Sequence, residues 1–375
     1  MAQLTKAKLE LYIYGGDFNN IPDTPEYTLN KSKLSGDDTI TFEISELIKD
    51  YVDIEFDGNY EGIKQTKWVF YRITRTFKDE DDVETTDTYT EKGIAFRGYG
   101  DITDGINPEL SKKIMMSNTV VNNYCGQPIS IPYYTGDSGT KKIEYKQDAT
   151  SLDVSAKGSA SLYTIDQTTR LNPLAIDVVT VDKTASIVAN SDDSSGVDEI
   201  PVDTNIVEFT FEDGTTKTIL VECIDECKNI PYKVSFINKF GAMQDIWFFA
   251  KRKDRMISTR EQYKKTILKI GSSNASYNIS DHQRVYLENQ GREVITMNTG
   301  FIHPSYNEVM KQLLVSEYVY IHDRRRQSPT NGKYNLAVPI NVVTSSLDIK
   351  TQRNDKLINY ELQFEMDSEF IQSVR

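Results

Sequence analysis

Three features of the 375-residue sequence point to a mainly β protein, with two β-sandwich-like domains that each carry a short helix and a β-rich inserted module. The chain holds 22 Tyr and 15 Phe, and aromatic side chains suit pleated, half-buried surfaces. Long stretches such as "KLELYIY" and "LINYELQFEM" alternate with period two, as half-buried strands do. Tight-turn signals recur between such stretches, at Asp213-Gly214 and at Asn238-Lys-Phe-Gly241.

The length suits two or three domains. The composition places an N-terminal β-sandwich domain over 1–123, an inserted module over 124–224 and a C-terminal β-sandwich domain with one docked helix over 225–375. In the first unit, Leu9, Leu11 and Ile13 alternate with Glu10, Tyr12 and Tyr14, and "KWVFYRITRTF" alternates in the same way from Lys67 to Phe77. "ISELIKDYV" (Ile44 to Val52) puts Leu47, Ile48, Tyr51 and Val52 on one helical face. "KDEDDVETTD" sets five acids within six residues before a strand from Thr85 to Phe96. It lacks the Asp-x-Asp-x-Asp-Gly order of a calcium loop, so a solvated hairpin tip is expected. "RGYGDITDGINPEL" has no Lys-Ser/Thr at phosphate-loop spacing, and its glycines serve positive φ or close backbone approach.

From about Tyr124 to Glu222 small and polar residues dominate, with an exposed loop expected around Ser191 to Gly196 and a hairpin closed at Asp213-Gly214. The last third is densely aromatic. "YKVSFIN" and "QDIWFFA" form a hairpin whose second strand is apolar on both faces, which requires cover on both sides. Ser305-x-x-Glu308 reads as a capping box opening a helix with Val309, Met310, Leu313 and Leu314 on its apolar stripe. The final strand puts Ile358, Tyr360, Leu362, Phe364 and Met366 on a buried face.

Composition also narrows chemistry. The net charge is −13 with only 3 His. An acidic chain repels phosphate, so direct sequence-specific nucleic-acid binding is not expected. Scarce His argues against acid–base and metal catalysis. No Gly-x-Ser-x-Gly, His-Glu-x-x-His or kinase set occurs, and no cofactor is expected. His303 and His322 read as structural. Cys125, Cys223 and Cys227 read as unpaired, inert thiols, with a reducing cytosol the simplest place of synthesis. No apolar run is long enough for a membrane anchor.

The stretches "FEISELIKDYV", "RGYGDITDGINPEL", "PYKVSFINKFGAMQDIWFF", "VITMNTGFIHPSYNEVMKQLLVSEYVYI" and "PINVVTSSLDIKTQRNDKLINYELQFEMDSEFIQSVR" resemble a family of virion structural proteins of tailed bacteriophages, especially phages of Bacteroidota and related marine or gut viruses. The resemblance covers about residues 1–120 and 225–375 and consists of packing motifs, with no catalytic one. It implies a non-enzymatic component made in the host cytoplasm and incorporated in the tail or neck. Its partners would be copies of itself in a ring or tube and other tail, neck or baseplate proteins. Heterologous contacts between identical subunits exploit opposite charge on one chain. Lys251, Arg252, Lys253, Arg255, Arg324, Arg325 and Arg326 form the basic half of the expected interface, and Asp79, Glu80, Asp81, Asp82 and Glu84 the acidic half. The alternative is a receptor- or carbohydrate-binding module, in which Trp68 or Trp247 would stack on sugar rings. A glycan depolymerase with paired carboxylates is the least supported reading, because its acids lack a burying context.

Overall fold

The computed structural model describes residues 3–16, 18–54, 56, 58, 66–100, 102, 113–124, 127, 129–134, 141–146, 159–162, 177–181, 206–210, 214–270, 274–327, 334–349 and 357–367. Strands dominate them, with two helices. The mainly β class is therefore observed.

Strands β1 (Gln3–Tyr14) and β2 (Tyr27–Ser32), helix α1 (Ser45–Lys49), and strands β3 (Thr66–Lys78) and β4 (Glu84–Phe96) come first. The four strands form one antiparallel sheet in the order β2-β1-β3-β4. Alternation puts Tyr12, Tyr14, Trp68 and Phe70 in one cluster and Leu11, Ile13 and Val69 in another. Both faces of the sheet are thus buried near its base, while β4 is exposed from Glu84 to Glu91. Trp68 donates its indole N–H to the Gly16 carbonyl at 3.0 Å, which satisfies the polar edge of a buried ring. Helix α1 is shorter than the expected span, and Ile44, Leu47, Ile48 and Tyr51 pack half-buried on the Leu11 cluster.

The next strands are β5 (Lys113–Ile114), β6 (Val120–Tyr124), β7 (Ile129–Tyr134), β8 (Lys141–Lys146), β9 (Ser159–Leu162), β10 (Asp177–Val181), β11 (Ile206–Thr210) and β12 (Thr216–Ile224). They form a three-stranded sheet, β10-β7-β5, and a five-stranded sheet, β6-β12-β11-β8-β9. The β11–β12 hairpin pairs Thr210 with Thr216, and Gly214 adopts φ +78° in the turn. The position 123/124 falls inside β6, which runs parallel to β12, and 224/225 falls at the end of β12. The loop expected around Ser191 to Gly196 lies outside the described residues.

Strands β13 (Tyr232–Ile237), β14 (Met243–Phe248), β15 (Lys253–Lys264), β16 (Lys269–Ile270), β17 (Ala275–Ser276) and β18 (Arg284–Asn298) follow. Helix α2 (Tyr306–Val315) and strands β19 (Val319–Gln327), β20 (Tyr334–Val342) and β21 (Glu361–Met366) complete the chain. Seven of these strands pair in the order β14-β13-β19-β20-β21-β18-β15, and β16 pairs with β17. Strand β20 joins the two halves. Its first part, up to Pro339, pairs with β19, and Ile340 to Val342 pair with β21. A strand that changes partners along its length lets a sheet fold over on itself. The largest core among the described residues lies within that fold, where Val234, Ile246 and Phe248 meet Ile295, Leu362 and Phe364 under Tyr306, Val309, Met310 and Leu313 of α2. Phe248 and Phe364 meet edge to face at 5.6 Å.

The expected capping box at Ser305 does not form. Ser305 is itself helical at φ −59°, ψ −17° and makes no side-chain cap bond. Its N–H instead donates to His303 Nδ1 at 3.1 Å, and its hydroxyl lies 2.9 Å from the same nitrogen. A residue already in the helical region turns its side chain away from the N–H groups of the next turn, so His303 and Pro304 make the entry.

Candidate functional site

The opening hairpin of the last third shows how an apolar strand is covered on both faces. β14 ends its sheet in hydrogen-bonding order, yet Met243, Ile246, Trp247 and Phe248 are all buried. The core covers Phe248, and Tyr124 from β6 stands 5.9 Å from the Trp247 ring on the other face. Buried amides fasten that cover. Asn238 donates to the Met115 carbonyl at 2.6 Å and to Gln244 at 2.9 Å, and Gln244 donates to Asn118 at 2.8 Å. The Asn122 N–H donates to the Tyr306 hydroxyl at 2.8 Å, and burial holds that phenol far above its ordinary range. Trp247 is only 6% exposed, so it is placed for packing and not for stacking on a sugar.

Close backbone approach locks the first sheet to this hairpin. A Cβ at Gly98 would lie 2.4 Å from the Lys239 carbonyl oxygen, and the Tyr99 N–H donates to that oxygen at 2.9 Å. Nearby, Arg97 donates to the carbonyls of Lys49 and Val52 and pairs with Glu317 at 2.9 Å, and it lies over the Tyr318 ring at 4.8 Å. Lys49 joins the same carboxylate at 2.6 Å. The bonds from Lys49 and Arg97 hold the Glu317 carboxyl below its ordinary range.

Register also builds a polar cluster that no local motif announces. Ser235 on β13 opposes Asp245 on β14, and Lys233 opposes His322 on β19. The Ser235 hydroxyl lies 2.6 Å from Asp245 Oδ1 and 2.7 Å from His322 Nε2, and Lys233 Nζ lies 3.4 Å from Asp245 Oδ2. The residue types are those of a hydrolase triad, but the order is different. A carboxylate only accepts, so the serine proton points to Asp245 and His322 must donate from Nε2. The imidazole therefore cannot take the serine proton, and Ser235 is 0% exposed. Burial pushes the His322 pKa down to about 3, with Lys233 lowering it further and Asp245 opposing. The cluster is a neutral-imidazole pin across three strands, with Phe56 packed 5.8 Å from the ring.

The charged residues of the expected interface divide in position. Asp79, Glu80, Asp81, Asp82 and Glu84 are exposed at the tip of the β3–β4 hairpin, where Asp82 adopts φ +62°. Asp79 accepts N–H groups from Asp81 and Val83 at 3.0 and 2.8 Å, so the tip is an ordered turn. Lys251, just before β15, and Lys253 and Arg255 at its start are exposed. Arg252 is turned inward, its side chain only 6% exposed, 2.5 Å from Asp254 and 4.7 Å over the Tyr232 ring. Arg324, Arg325 and Arg326 lie within β19, where its register with β20 shifts between Asp323 and Gln327. Their side chains lie outside what the structure describes.

The basic segment belongs to a larger feature. β15 pairs with β18 over its whole length, but β18 pairs with β21 only from Val294 to Asn298. Beyond Arg255 the two strands form a ribbon with no third strand among the described residues, about 30 Å long at ~3.4 Å per residue. Every residue of β15 is exposed. Met256, Ile257, Tyr263, Tyr286 and Leu287 are exposed apolar side chains on this arm, and Leu268, Ile270, Tyr277 and Ile279 are others at its end.

Cys223 forms a disulfide, which corrects the expectation of three unpaired thiols. Cys227 is free and exposed, and Cys125 lies outside the described residues. No group of His, Cys, Asp or Glu among the described residues has the arrangement of a metal site. No family model matches the chain, and no curated protein or solved structure matches it significantly.

Proposed function

We propose that the protein is a structural component of a tailed-phage virion and forms an oligomeric ring or tube segment in the tail or neck through heterologous contacts between copies. The observation that supports self-assembly most strongly is the two-stranded arm, basic and studded with exposed apolar side chains, on a chain whose net charge is −13. An isolated hairpin is marginally stable in water, and clustered exposed apolar residues mark interaction surfaces. The acidic β3–β4 tip supplies the opposite charge on the same chain. The phage setting rests on the resemblance of the packing motifs, and the Cys223 disulfide suits a protein that leaves the reducing cytosol. Quantitative mass spectrometry of purified virions tests the proposal. The chain should be present in many copies per particle at a fixed ratio to the other tail or neck proteins, and its absence from intact particles would refute the reading.

A further inference from the structure

We infer that neighbouring copies join by strand addition, the open edge of β15 in one copy pairing with the open edge of β4 in the next. This rests on the self-assembly reading and specifies its contact. Among the described residues both strands end their sheets, with 12 residues in β15 and 13 in β4. The other ends of those two sheets are β2, six residues long, and β14, which is covered. A long open edge presents a row of backbone donors and acceptors that template another strand.

Charge selects the partner. From Lys251 to Lys269 there are eight basic residues and two acids, and from Asp79 to Glu91 seven acids and no base. Lys6, Arg75 and Lys78 of the same sheet offset three of those acids, Glu84, Asp87 and Asp82. Pairing β4 with β4 would place acid against acid, and pairing β15 with β15 base against base, whereas β15 against β4 is complementary. Exposed Val83 and Tyr89 on the acidic hairpin then gain cover from Met256 and Ile257 on the arm. The two surfaces differ, so the contact is head to tail and must either close as a ring or continue as a tube.

Cross-linking of variants that each carry one introduced cysteine tests this. Thr88→Cys on β4 and Thr259→Cys on β15, each in a Cys227→Ser background, are purified separately, mixed and oxidised mildly. The expected result is a covalent dimer from the mixture and none from either variant alone. Lys253→Glu with Arg255→Glu should weaken assembly about tenfold, and Asp81→Lys with Glu84→Lys in the same chain should restore it. Normal multimers without the mixed cross-link would overturn the strand pairing and leave self-assembly standing. Cross-linking within one variant alone would overturn the head-to-tail pairing. A protein that never multimerises and never cross-links would overturn both readings.

Discussion

His322 should make the protein measurably less stable in mild acid. In the folded chain the ring is neutral, donates to Ser235 and is pushed down to about 3, whereas an unfolded histidine titrates near its ordinary value of 6.5. Between those values the unfolded chain binds a proton that the folded chain does not, so stability rises with pH. The contribution is fully present above about pH 6.5 and is lost as pH falls from there toward 3. Linkage gives a loss of about 2 kcal/mol between pH 7 and 5, from a slope of at most ~1.4 kcal/mol per unit. Glu10, Glu91 and Glu317 are held below 4.5 by their hydrogen bonds and ion pairs, so their own losses come at lower pH. The assay is urea unfolding at pH 7, 6 and 5, followed through Trp247 fluorescence in a Trp68→Phe background. His322→Asn retains an amide donor for Ser235 and removes the titration. Its stability should be lower at pH 7 and should change less with pH, by about 2 kcal/mol over the interval. Equal pH slopes for the two proteins would refute the assignment of a buried neutral imidazole.

Trp247→Ala should destabilise the C-terminal core by about 3–5 kcal/mol, through lost burial and the cavity left against Tyr124 and Phe249, and thermal unfolding measures it. Gly98→Ala should cost about 2 kcal/mol or more because its Cβ meets the Lys239 carbonyl, whereas Gly100→Ala, with nothing within 4 Å, should leave the midpoint nearly unchanged. Reductant should lower the melting temperature of the native protein through loss of the Cys223 disulfide, while Cys227→Ser should melt as the native chain does. Raising salt should slow assembly driven by the arm and the acidic tip, since exposed pairs are each worth about 0–1 kcal/mol and are screened over ~8–10 Å, and light scattering follows the rate.

What could be read from the sequence was whatever depends on period and local chemistry. The alternation of Leu362, Phe364 and Met366 identified a buried strand face, and Asn238 with Gly241 identified the β13–β14 turn, because each signal lies within a few residues. The Ser305 box misled for a related reason. The four-residue pattern was present, but His303, just upstream, competes for the Ser305 N–H and hydroxyl. The cluster of Ser235, Asp245 and His322 depends on the register of three strands separated by up to 87 residues, and no spacing rule encodes that. The basic cluster at Lys251 was legible, but its extension through Arg260 to Lys269 along an unsupported ribbon was not. Twelve residues of a mixed polar and apolar strand look alike whether or not another strand lies beside them, so exposure on both faces became visible only from the pairing of β18. Arg252 shows the converse, a run of like charge in which one member is consumed by its own sheet.

Self-assembly through the arm and the acidic edge is the central claim, and the mass of the purified protein against concentration tests it most directly. Sedimentation velocity at low salt, with negative-stain images of the same samples, should show one discrete multimer or a distribution of tube segments that dissociates as salt rises. A protein that stays monomeric at every concentration and salt, or forms a compact trimer that binds host cells, would contradict the account and favour a receptor-binding module.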